Sequence, residues 1–211
     1  MSREFKVVLL IALINCTLWA VPPISLKGNP QVIVSLYNDA QVPGDTLTRA
    51  ELQATNTFLR SGLEIDWLNC THHDTAACNE VGGPQHLFLR ITPKIAASLN
   101  DAAFGIAFIG SDQTGRNANV FWRRVKEIQK NTKADASLIL GSVMAHEIGH
   151  LLLGSNSHAL SGIMRARWES DELHRITMGS LLFLPEQGKR MRARLDQQKE
   201  FLVSSRERTG N

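Results

Sequence analysis

The chain has 211 residues, 43% of them hydrophobic and 20% charged, with a formal net charge of +3. That length suits one domain with a core of its own, and this balance of apolar and charged residues excludes a disordered chain. So mild a charge implies neither a nucleic-acid partner nor a stable membrane partner.

Arg3 and Lys6 precede an uninterrupted apolar run, Val7 to Ile14, and Ala20 closes a plausible cleavage site. Residues 1–20 are therefore expected to be a secretory signal peptide, too short for a comfortable membrane span. Residues 21–211 are expected to form a single domain, secreted or periplasmic. Anchoring through an uncleaved signal, or through a lipoprotein signal at Cys16, is the alternative.

Gln31 to Tyr37 (QVIVSLY) has the alternating, β-branched character of a first strand. Thr48 to Leu59 carries Leu52, Thr55, Phe58 and Leu59 at helical spacing, with Thr46 or Thr48 as its cap. Glu64 to Leu68 is expected as a second strand. Cys70 and Cys78 then flank the loop Thr71 to Ala77. In an exported chain such a pair favours a local disulfide over a metal or redox pair with the intervening His72 and His73.

Gln85 to Ile91 is a third strand, with Leu87, Leu89 and Ile91 on one face and His86, Phe88 and Arg90 on the other. Ala103 to Gly110 is a fourth, uncharged and interrupted by glycine. A turn at Asp112 to Gly115 leads to a fifth, Asn119 to Trp122. Asp135 or Ser137 caps a strongly apolar helix containing Gly141, which costs about 1 kcal/mol relative to alanine and would be explained by the close approach of a neighbouring strand. Ser170 is the expected cap of another helix, and Pro185 opens an arginine-rich last one.

The segment Met144 to Met164 carries the chemistry. His146 and His150 enclose Glu147 in an HExxH pattern. Residues four apart share one helix face, so both imidazoles can reach a single ion. Glu147 points aside, where its carboxylate can take a proton from water without ligating the metal. A catalytic zinc site usually has three protein ligands. Gly154 can turn the chain back, and His158 follows in position to be the third.

HEIGHLLLGSNSH followed by Gly162, Ile163 and Met164 resembles the metzincin clan of zinc peptidases, whose extended motif is HExxHxxGxxH with a methionine turn downstream. The glycine falls one position late, with Leu153 in its usual place. The third histidine falls two late, with Asn156 in its place, which lengthens the turn. The resemblance implies one catalytic Zn2+ held by His146, His150 and His158, Glu147 as general base, and Met164 as a soft floor beneath the histidine rings. The tyrosine that some members carry after the turn is absent, since Tyr37 is the only tyrosine.

The implied fold is α+β: a twisted mixed five-stranded sheet above a zinc-binding active-site helix, with C-terminal helices. A peptide or protein substrate would lie extended along an edge strand, for which Ala103 to Gly110 is the candidate. The implied activity is zinc-dependent hydrolysis of peptide bonds. A catalytically inactive zinc-stabilised binding module and a zinc hydrolase of a non-peptide amide remain as alternatives.

Overall fold

Among the described residues, five strands form one mixed sheet in the order β2-β1-β3-β5-β4. They are β1 (Gln31–Asn38), β2 (Glu64–Cys70), β3 (His86–Thr92), β4 (Gly105–Phe108) and β5 (Asn117–Phe121). The computed structural model describes residues 28–70, 78, 83, 85–93, 103–132 and 134–209. The expected signal peptide, the loop Thr71 to Ala77 and His72 and His73 lie outside them. Strands β2, β1, β3 and β5 are mutually parallel, while β4 runs antiparallel to β5 at the margin of the sheet. This is the expected α+β arrangement.

Among the described residues, five helices flank the sheet: α1 (Gly44–Leu59), α2 (Trp122–Thr132), α3 (Ala136–Leu153), α4 (Ser170–Thr177) and α5 (Pro185–Thr209). Val32, Val34, Leu36, Leu87, Leu89, Ile91 and Val120 line the covered face of the sheet and are almost wholly buried. Period-two alternation places them there together, against α1 and α3. Helix α3 is apolar around its whole circumference, and 89% of it is buried. By length and composition alone it would pass for a membrane span, but here it is the central rod of the core.

Five local expectations are corrected. Helix α1 begins at Gly44, after Pro43, and neither Thr46 nor Thr48 caps it. Its buried face is Ala50, Gln53, Ala54, Thr57 and Phe58, while Leu52 and Leu59 are exposed. The reason lies opposite, at Gly141. A β-carbon there would fall 2.4 Å from the Ala50 carbonyl oxygen and 2.7 Å from Gln53 Cβ. The close neighbour of Gly141 is thus a helix and not a strand, and two helix backbones this near admit only small residues between them.

At α4 the N-cap is Glu169, with Ser170 already inside the helix. Glu169 and Glu172 form a reciprocal capping box. The fifth strand ends at Phe121, because Trp122 starts α2. The disulfide between Cys70 and Cys78 is present, as expected. Ser35 Oγ donates to the Cys78 carbonyl at 3.2 Å, which ties that bridge to the face of β1 turned away from α3.

Candidate metal centre

The start and end of α3 fix where its side chains lie. Asp135 caps the first turn, accepting from the Ser137 backbone N–H at 2.7 Å and the Ser137 hydroxyl at 2.6 Å. Gly154 ends the helix in the left-handed region (φ 62°, ψ 35°). The Ser155 N–H then returns to the His150 carbonyl at 3.2 Å. This closure also brings the Ser155 carbonyl onto the His150 ring, whose Nδ1 lies 2.8 Å away.

His146 is oriented in the same manner from a greater distance along the chain. Its Nδ1 lies 2.7 Å from the Ile163 carbonyl. The same oxygen accepts from Trp168 Nε1 at 3.2 Å. A carbonyl accepts and cannot donate, so both histidines carry their proton on Nδ1 and turn an Nε2 lone pair inward. The two Nε2 atoms stand 3.1 Å apart. With neither bearing a hydrogen, that contact is no hydrogen bond. Two nitrogens on one tetrahedral zinc ion would stand roughly 3.3 Å apart, so the pair fits a shared cation.

His158 joins them. The ligand atoms of His146, His150 and His158 all lie within 4.8 Å of one another. The His158 ring stacks on His146 at 5.4 Å and meets His150 edge-on at 4.9 Å. The next residue, Ala159, donates its N–H to the Met164 carbonyl at 2.8 Å, so the returning chain is pinned to the turn below. The three imidazoles can therefore hold one metal ion despite the lengthened loop. Burial lowers the pKa of each, that of His146 to about 3, and keeps them neutral as ligation requires.

Met164 is fully buried. It packs under α3 where Gly149 makes room: a β-carbon at 149 would fall 2.8 Å from Met164 Sδ and 2.6 Å from Phe183 Cε1. Glu147 is 3% exposed, and burial pushes its carboxyl up to about 8. Residues 103–107 of β4 and its approach, Glu147, the three histidines, Asn156, Ala166 and Arg167 line a common cleft of about 320 Å³. The expected edge strand is thus found at the cleft, though the ladder covers only Gly105–Phe108 of Ala103 to Gly110.

Several contributors were not anticipated from the sequence. Phe104 and Trp168 stack at 4.2 Å, and each meets the His146 ring edge-on, at 5.7 and 5.9 Å. Two carbonyls, of Ser155 and Ile163, complete the orienting set. Backbone acceptors leave no trace in residue type, and Trp168 could have been noticed only as a large aromatic just after the turn. His86, on the other face of the third strand from Leu87, is buried, with Nε2 2.7 Å from Ser35 Oγ. It sits on the opposite face of the sheet.

No protein-family model matches the sequence, and no curated protein matches it. Among solved structures, the zinc-dependent peptidase of Methanocorpusculum labreanum is similar, with a TM-score of 0.52 at 18% identity. The match covers 75% of this chain and 99% of that one. Archaemetzincin of Methanopyrus kandleri aligns over 82% of this chain and 99% of its own, at 16% identity and a TM-score of 0.48. At the identity of the first match what is shared is the fold. This chain shares its fold with that structure, and it has a cluster of three histidines able to hold a metal ion.

Proposed function

We propose that this chain is a secreted zinc-dependent endopeptidase, exported by residues 1–20 and acting through residues 21–211. The observation that carries the reading is the meeting of three imidazoles and the Glu147 side chain in one cleft, beside an antiparallel edge strand. His146, His150 and His158 would hold the zinc, and Met164 would support it from below. What a bound zinc ion supplies here is a water pKa lowered to roughly 7 and polarisation of the substrate carbonyl.

The remaining work falls to the chain. Strand β4 has one margin unpaired by any described strand, and its main-chain groups can add an extended peptide as a further strand. Glu147 takes a proton from the attacking water and delivers it to the departing amine. With no tyrosine after the turn, stabilisation of the developing oxyanion cannot rely on a phenol.

The test is incubation of the protein with casein and a peptide library, beside Glu147→Ala and a chelator control. Cleavage by the wild type alone supports the reading. Zinc binding without cleavage would replace it with the inactive binding module. Cleavage confined to small non-peptide amides would replace it with the alternative hydrolase.

A further inference from the structure

We propose that Arg167 makes the cleft selective for substrates that present a carboxylate close to the bond being cut. This deepens the peptidase reading and rests on it. Among the described residues that line the cleft there is one carboxylate, Glu147, and one guanidinium, Arg167. The rest are apolar residues of the edge strand and its approach, the three histidines, the neutral amide of Asn156, and Ala166.

The two arginines of this turn are used differently. Arg165 is committed to the fold: its Nη1 lies 2.7 Å from Glu172 and its Nη2 3.0 Å from Glu169. Arg167, two residues on, is exposed and forms no ion pair among the described residues. Its place in the chain is nonetheless fixed. Trp168 is buried, stacks on Phe104 at 4.2 Å and donates to the Ile163 carbonyl, so the backbone that carries Arg167 is held on both sides. A cation at the wall of a binding cleft, and not spent on a protein carboxylate, can recognise a ligand carboxylate by a charge-assisted hydrogen bond, against the cost of ordering one long side chain. Its planar fork can engage both oxygens.

Such a carboxylate can come from an Asp or Glu side chain of the substrate or from its C-terminus. Fluorogenic peptides separate the two sources: one set places Glu or Gln at each position flanking the cut, and another carries the same sequence as free acid or amide. A charge-assisted hydrogen bond at a partly exposed site implies a preference of about tenfold in kcat/KM for the charged member of one pair. In Arg167→Gln that ratio should approach one, in Arg167→Lys it should be partly retained, and Arg167→Glu should favour Lys at the same position. Zinc content measured on each variant serves as the control for folding.

Preference in the Glu series assigns the partner as an acidic side chain; preference in the acid series assigns it as the chain terminus. A wild type that cleaves peptides without distinguishing any pair overturns the inference alone, as does a preference that survives in Arg167→Gln. A wild type that cleaves no peptide overturns the peptidase reading, and this inference with it.

Discussion

The side chain of Glu147 rests against the backbone of Gly105. A β-carbon on residue 105 would lie 2.8 Å from both Cγ and Cδ of Glu147, and 2.2 Å from the Asn119 carbonyl oxygen. This glycine, the first residue of β4, therefore makes room for the Glu147 side chain. It also lets β4 approach β5 at normal ladder distance.

Gly105→Ala is accordingly expected to displace Glu147 from the cleft. A shift of about 1 Å in a catalytic group costs on the order of 100-fold in rate, and overpacking should cost about 1–3 kcal/mol of stability. The histidines lie on α3 and its return loop, so zinc should still bind. Peptide hydrolysis and zinc titration on the same preparation check this; unchanged hydrolysis would show that the carboxylate has room elsewhere.

The proposal of His158 as third ligand can be tested against Asn156, which stands where the resembled motif has its third histidine. His158→Ala should weaken zinc binding by more than the roughly 10–100-fold typical of losing an orienting partner. Asn156→Ala should leave zinc affinity nearly unchanged, although Asn156 lines the same cleft. Competition with a chromogenic chelator measures both. The reverse ranking would assign the third position to Asn156.

Removing the cap of α3 by Asp135→Ala should cost about 1 kcal/mol. The Asp135 carboxyl is held below its ordinary 3.8, first by the Ser137 hydroxyl and then by the Ser137 N–H. A depressed folded-state pKa means that the contribution is fully present above the unfolded value and is lost as pH falls through the folded one. The gap between wild type and variant should thus be constant near neutral pH and shrink in acid below 3.8. Urea titrations across that range check the sign. The Arg49 contact at 3.6 Å is largely exposed and adds little.

Reducing the Cys70–Cys78 bridge, whose cysteines are 8 residues apart, removes about 2.5 kcal/mol of loop-closure stabilisation. Strand β2 is the margin of the sheet farthest from β4. Reduction should therefore lower the Tm and leave zinc affinity unchanged. Loss of metal on reduction would mean that the far margin communicates with the site.

What could be read in the sequence was what is encoded locally. The His146–His150 spacing, the Asp135 cap and the turn at Gly154 each follow from one helical period or one backbone preference, and the structure has all three. Helix α2 is hard to see because Trp122, the first residue of its apolar stripe, reads equally as the end of the fifth strand, which leaves only Val125 and Ile128 amid lysines, arginines and glutamate. Two apolar positions make too short a stripe to stand out. The buried face of α1 was misjudged for the opposite reason. Its leucines form a good stripe, but the packing at Gly141 selects alanines, and that contact belongs to tertiary structure. The orienting carbonyls of Ser155 and Ile163 have no signature in residue type at all.

The Ile163 carbonyl has a consequence for the order in which the protein is completed. The first histidine of the motif takes its orientation from an oxygen 17 positions further along the chain, and that oxygen also receives the indole of Trp168. A helix bearing the full HExxH motif is therefore not yet a finished centre. Its imidazole becomes directional only when the descending segment docks, so a chain severed between Gly154 and Ile163 would keep the motif intact and lose the means to aim it.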